Sequence, residues 1–127
     1  QVRLTQIQEV EMENALCATG FAYKRDMRIQ QSNEFLTILP KIRDIRRVGT
    51  AAFDLCMVAS GNVNAYFERT AQIWDIAAGT LIVEEAGGVV SGLFENPPGP
   101  DFTIAGPKKL QADLVAHFES ISDSRQD

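Results

Sequence analysis

Apolar and polar positions along this chain follow two periods in alternation. Residues 15–21, Ala-Leu-Cys-Ala-Thr-Gly-Phe, predict a short buried strand ended by Gly20. Over residues 29–43 the apolar side chains Phe35, Leu36, Leu39 and Ile42 fall at i, i+1, i+4 and i+7, a helical stripe. Pro40 inside that stripe predicts a kink or a break, because proline lacks the amide hydrogen a helix interior needs. Residues 46–48 read as a brief strand-like connector before Gly49. Ala52, Leu55, Cys56, Val58 and Ala59 then share one face of a helix over 51–60. Thr50 stands where it can cap that helix, and Gly61-Asn62 stops it.

The second half repeats the alternation. Residues 63–67 are rich in strand formers. Trp74, Ala77, Ala78, Leu81, Ile82 and Val83 trace another helical face, closed by Gly87-Gly88. Residues 88–94 predict a strand, Asn96-Pro-Pro-Gly-Pro100 a loop, and 102–105 a further strand. Pro107 is expected to open a last helix in its first turn, with Leu110, Leu114, Val115 and Phe118 facing inward. The division expected is a domain over 1–120 and a polar, frayed tail over 121–127. Helices alternating with short strands give an α/β fold, a mixed sheet flanked by helices.

Composition narrows the function classes. At 127 residues the chain is one domain or part of one. Seventeen acidic residues against twelve lysines and arginines leave a net charge of −5, which argues against nucleic acid as a partner. The one dense basic cluster is short: Lys41, Arg43, Arg46 and Arg47, with Asp44 among them. Cys17 and Cys56 form neither a metal motif nor a disulfide framework, which fits a reducing, cytoplasmic compartment. No apolar run approaches a membrane span and no signal peptide is read at the start, so no membrane partner is expected. The first residue is Gln1 rather than Met, and the expectation is a piece of something larger.

Three places hold candidate chemistry. Gly49-Thr50-Ala51-Ala52 lies at a strand-to-helix junction, where free amide hydrogens attract anions and hydroxyl oxygens and small side chains admit a ligand. On spacing alone an ordinary capped helix is the commoner reading. Asp75 opens a helix of small residues; it can cap that helix or turn outward as an oxygen ligand for Mg²⁺. Glu68 ends a strand, where α/β clefts lie, although a solvated strand-end glutamate is the commoner case. Glu84 and Glu85 read as surface residues, and His117 has no nucleophile patterned around it. Neither GxGxxG nor GxxxxGK[ST] occurs, which removes the common dinucleotide and P-loop readings.

Taken together, Arg46-Arg-Val-Gly-Thr-Ala-Ala52, Ala65-Tyr-Phe-Glu68 and Trp74-Asp-Ile-Ala-Ala-Gly79 running to Glu85-Ala-Gly-Gly88 resemble the carboxyl-terminal half of the inositol monophosphatase family. Ala18-Thr-Gly-Phe21 and Ile104-Ala-Gly106 also fit, so the resemblance covers roughly residues 13 to 118. It implies the carboxyl-terminal half of a layered sugar-phosphatase fold and a Mg²⁺-dependent, lithium-sensitive phosphomonoesterase acting as a homodimer on a small phosphorylated polyol. One Mg²⁺ would activate a water, and a second, held partly by Asp75, would stabilise the departing alkoxide. Asp75 matches the family's metal-binding aspartate in this half, which also contacts a substrate hydroxyl. Glu68 matches the glutamate that binds inositol hydroxyls, and Ala51, beside Gly49 and Thr50, the backbone contact to the ring. Arg46 and Arg47 carry over only weakly.

The family's metal carboxylates come mostly from an amino-terminal half, with an Asp-Pro-x-Asp-Gly-Thr motif and an upstream acidic pair, and that motif is absent from this sequence. The resemblance therefore implies a missing amino-terminal half, without which the chain alone is expected to be inactive. The preferred reaction is hydrolysis of inositol 1-phosphate. The alternatives are histidinol phosphate, fructose 1,6-bisphosphate, NADP or a phosphoadenosine nucleotide as substrate, or a non-catalytic interaction module.

Overall fold

The computed structural model describes residues 6–126, with side chains through 122, so Gln1 and Asp127 lie outside the described residues. Among the described residues five strands and four α-helices follow one another as β1 (Leu16–Thr19), α1 (Arg25–Ile38), β2 (Asp44–Arg46), α2 (Ala51–Ser60), β3 (Ala65–Glu68), α3 (Ile73–Glu85), β4 (Gly88–Ser91), β5 (Thr103–Pro107) and α4 (Lys108–Gln126). Among the described residues the strands make one mixed sheet in the order β2-β1-β3-β5-β4. β1 runs parallel to both β2 and β3, while β5 is antiparallel to β3 and to β4. The α/β class and the mixed sheet between helices are as expected from the sequence. Among the described residues, no helix is long and apolar enough to cross a membrane.

The period of two along the strands divides the core. Cys17, Ala65, Phe67 and Ile104 point to one face, where Ile38, Leu110, Leu114 and Phe118 pack on them. Ala18, Tyr66, Ala105 and Val90 point to the other, against Leu55, Val58, Ile76 and Val83. The first face thus carries α1 and α4, the second α2 and α3. This segregation follows from the connections. The chain steps from β1 outward to β2 through α1 and then back across β1 to β3 through α2. Two right-handed crossovers in opposite directions put their helices on opposite faces.

Several elements depart from the sequence pattern for local reasons. α1 ends at Ile38 and tightens into a 3₁₀ turn over Leu39–Lys41, where Pro40 sits. Its buried line is Gln31, Glu34 and Ile38 rather than an apolar stripe, and Leu36 is 76% exposed. Those two polar side chains are buried because they have partners, described below. On α2, Ala52 and Cys56 face solvent while Asp54 is buried beside Leu55. On α3 the buried residues are Ile76, Gly79 and Val83; Trp74 is 77% exposed, and Leu81 is exposed too. Two strands are shifted or shortened: β2 lies at 44–46, and β4 ends at Ser91, before the left-handed Phe94 and Glu95 turn the chain. Pro107 closes β5 rather than opening the helix. α4 continues to Gln126, so the polar stretch expected to fray is helical.

Candidate active site

β1, β2 and β3 are parallel, so the segments following all three emerge at one edge of the sheet, where α/β folds form their crevices. A cavity of about 890 Å³ opens there. The walls come from the segment after β1 and the start of α1 (Gly20 to Lys24, with Met27), from Arg47 and Gly49 to Ala52 after β2, and from Glu68, Thr70 to Gln72, Trp74 and Asp75 at and after the end of β3. Gly49, Thr50, Ala51, Glu68 and Asp75 all line it. Residues separated by 26 positions in sequence thus meet in one place.

Each arrives for a local reason. Gly49 has φ +105°, a left-handed conformation that glycine adopts without steric cost, and it turns the chain from β2 into α2. Thr50 is extended, and its hydroxyl accepts from the Phe53 amide at 3.2 Å, the N-cap the sequence predicts. Ala51, the first residue of α2, is half-buried at the cavity wall. Asp75 is the third residue of α3, not its cap. The cap position is Gln72, whose side chain makes no capping bond, and the Asp75 carboxylate is exposed on the cavity. The carboxylate therefore does not cap α3.

Glu68 stands two residues after Tyr66 on β3 and so shares its face, the one packed by α2 and α3. The buried Tyr66 hydroxyl donates to Glu68 Oε1 at 2.9 Å. Gly20 lets the carboxylate in: a Cβ on residue 20 would lie 2.6 Å from Glu68 Oε1. Burial raises the Glu68 carboxyl above the usual range, and the Tyr66 hydrogen bond and nearby Arg47 partly offset this. Behind it, Asp54 is 1% exposed, and among the described residues neither of its carboxyl oxygens has a hydrogen-bond partner. Burial, with Glu68 nearby, pushes its pKa up to about 7. Tyr66 is pushed above the ordinary phenol range by burial and the same acids.

Lys24 and Arg47 are the cations on the cavity wall, and the Arg47 guanidinium lies 5.4 Å from the centre of the Phe21 ring. Reading the sequence left out Gly20, Lys24, Tyr66 and Asp54. Only Tyr66 had a local signal, its two-residue spacing from Glu68 on a strand. Arg46 is not on the cavity wall; it pairs with Asp44 at 3.3 Å on the surface.

Asp75 and Glu68 offer oxygen ligands, but among the described residues no group of three or more His, Cys, Asp or Glu is placed to hold a metal ion. Mg²⁺ takes a near-octahedral oxygen shell, which these two carboxylates by themselves do not complete.

A mixed α/β sheet with an acid-lined crevice at the carboxyl ends of its parallel strands is the class that fold and site define. The chain matches the sequence model of the inositol monophosphatase family over residues 1–123 and belongs to that family. The inositol-1-monophosphatase of Mycobacterium leprae is 45% identical over 111 residues, which make up 86% of this chain and 38% of that protein. The Nus factor SuhB of Escherichia coli is 34% identical over 124 residues, 90% of this chain and 44% of that protein. Among solved structures, the inositol monophosphatase from Anabaena (Nostoc) sp. PCC 7120 is similar with a TM-score of 0.82 at 31% identity, over 91% of this chain and 48% of that one. The chain spans less than half the length of each of these relatives.

Proposed function

We propose that this chain is the carboxyl-terminal half of a Mg²⁺-dependent phosphomonoesterase whose substrate is a phosphorylated polyol, inositol 1-phosphate being the first candidate. The observation that carries the reading is the meeting of Gly49, Thr50, Ala51, Glu68 and Asp75 on one cavity in a member of this family. The free amides at the start of α2 and the Glu68 carboxylate take hydroxyls of the polyol. Tyr66 already occupies Glu68 Oε1, so Oε2 is the freer acceptor. These groups supply positioning rather than bond-breaking. Lys24 and Arg47 draw the phosphate dianion towards the cavity and offset the two acids there. Asp75 would furnish one oxygen to Mg²⁺, whose charge, when bound, offsets the negative charge that develops on the phosphoryl and leaving oxygens. The remaining ligands would come from the amino-terminal half.

The test is release of phosphate from inositol 1-phosphate by the polypeptide that carries both halves, with and without chelator. Asp75→Asn in it is expected to lower kcat by about 10²-fold or more, in proportion to what one electrostatic stabiliser contributes. Near-normal turnover at saturating Mg²⁺ would reduce Asp75 to a first-turn acid of α3. Histidinol phosphate, fructose 1,6-bisphosphate, NADP and phosphoadenosine nucleotides are the competing substrates in the same assay. A second reading, a non-catalytic interaction module, draws support from the relative named a Nus factor. It predicts no phosphate release from any of these esters.

A further inference from the structure

Glu68 and Asp75 are joined by residues 69–74, and that connection is held in a conformation its sequence disfavours. Thr70, a β-branched residue, has φ +69°. Such side chains crowd the backbone there, and strain of this kind persists only where neighbours over-determine it. The neighbours are explicit. The Thr70 amide donates to the Pro100 carbonyl at 2.8 Å. Arg69 grips Glu34 of α1 through Nε and Nη2, at 2.6 to 3.0 Å, with both side chains largely buried. Its Nη1 donates to the Asp101 carbonyl at 3.0 Å, and its guanidinium lies 4.6 Å from the centre of the Phe102 ring.

α1 holds the opposite wall through the same face. Gln31, one turn before Glu34, accepts from the Ala22 amide at 2.9 Å and donates to the Gly20 carbonyl at 3.3 Å. One helix face therefore ties the segment after β1 to the segment after β3, the two that bracket Glu68.

We propose that Arg69 is a positioning residue for this site: its grip on Glu34, the Asp101 carbonyl and the Phe102 ring holds Thr70 in its left-handed turn and so fixes where Glu68 and Asp75 stand across the cavity. The kinetic consequence rests on the phosphatase reading above; the conformational one does not. Arg69 is not among the residues that line the cavity, and it acts through the chain on either side of it.

The test uses the polypeptide with both halves. Removing one partner of a buried ion pair is costly, so Arg69→Lys, which keeps the charge and loses the two-pronged grip, is the first variant. It should raise KM for inositol 1-phosphate by about tenfold while kcat, and KM for an aryl phosphate, move by less than about threefold. Hydrogen exchange at the Thr70 amide should speed up by about tenfold or more, with the amides of β5 unchanged. Thr70→Gly, which relieves the strain and leaves the ion pair, should raise Tm by a few degrees yet raise KM for inositol 1-phosphate in the same direction. Equal losses on both esters with a matching fall in Tm, or unaltered exchange at Thr70, would overturn the proposal. If the wild-type polypeptide releases no phosphate, the functional reading fails, and the Thr70 exchange rate in Arg69→Lys alone decides the positioning role.

Discussion

The Glu68 carboxylate reaches the cavity only because Tyr66 holds one oxygen and residue 20 has no side chain. A hydrogen bond to a charged group contributes about 1.5–3 kcal/mol. Glu68→Gln is therefore expected to lower kcat/KM for a polyol phosphate by about tenfold to a hundredfold, and for an aryl phosphate by no more than a factor of a few. Gly20→Ala should reproduce that selective loss, since the new methyl displaces the flexible carboxylate rather than backbone. Parallel kinetics on the two esters check both variants, and equal losses would point to a folding or metal-site defect instead. Asp54 has a consequence for pH. Its folded-state pKa near 7 lies above the ordinary value of 3.8, so between those two pH values the folded chain holds a proton that the unfolded chain releases. Stability should therefore fall as pH rises through that window and level off above it, a loss of roughly 3–5 kcal/mol from this one group. The raised Glu68 carboxyl adds a loss of the same sign. Asp54→Asn, neutral at every pH, should flatten most of the slope and leave the variant more stable than wild type at pH 8. Chemical denaturation at pH 5 and pH 8 measures the difference, and an unchanged slope would mean that Asp54 is ionised and solvated.

Helix packing shows where pattern reading reaches and where it stops. The ends of α2 and part of its inward face were legible, because those signals are local: Thr50 at the cap, Gly61 at φ +83° at the stop, and Leu55, Val58 and Ala59 on one face, whereas Ala52 and Cys56, expected there too, are exposed. α1 was not. Its inward face is Gln31 and Glu34, and the reasons lie in the loop carbonyl of Gly20 and in Arg69, 35 positions further on. A hydrophobic pattern has no view of an ion pair that distant, so Leu36 and Leu39 were assigned to a face that is in fact exposed. Trp74 misled for a related reason: it belongs to the apolar spacing of α3 but sits at the mouth of the cavity. Between α2 and α3 the decisive residue is Gly79, where an added Cβ would lie 2.7 Å from both Cβ and Cδ1 of Leu55. Two helices meet there at a separation only glycine permits. Gly79→Ala should cost about 1–3 kcal/mol of stability through overpacking, despite alanine's better helix propensity. In a Leu55→Ala background the same change should cost less but still cost something, because Cγ and Cδ1 are gone while the Leu55 Cβ, also 2.7 Å away, remains. A double-mutant cycle by denaturant unfolding reads this out, and additive costs would show that the contact relaxes freely.

For the whole molecule, the sheet, its flanking helices and the five residues that meet on the cavity wall were within reach of the sequence; what supports them there was not. Period-two alternation in β3 and the strand-loop-helix junctions at Gly49 and Asp75 fix where the chain turns, and parallel β1, β2 and β3 bring those turns to one edge. The supporting residues, Gly20, Tyr66, Asp54 and Arg69, act through contacts that spacing alone does not reveal. The last prediction follows from the donor count. Among the described residues Asp75 and Glu68 are acids on the cavity wall, and no set of three metal-ligating side chains is assembled. A divalent ion left with one or two protein oxygens keeps most of its water shell and gains little from the site. The chain alone, 127 residues long, is accordingly expected to release no more phosphate from inositol 1-phosphate than a protein-free control, at any Mg²⁺ concentration up to tens of millimolar. The polypeptide carrying the amino-terminal half should release phosphate at a rate that chelator abolishes and added Mg²⁺ restores. Far-ultraviolet circular dichroism on the chain alone separates an incomplete site from an unfolded chain, since helical signal without activity is the expected pair. Chelator-sensitive turnover by the chain alone would mean that two wall carboxylates and water suffice to hold a working metal, and the assignment of the missing ligands to another half would fall.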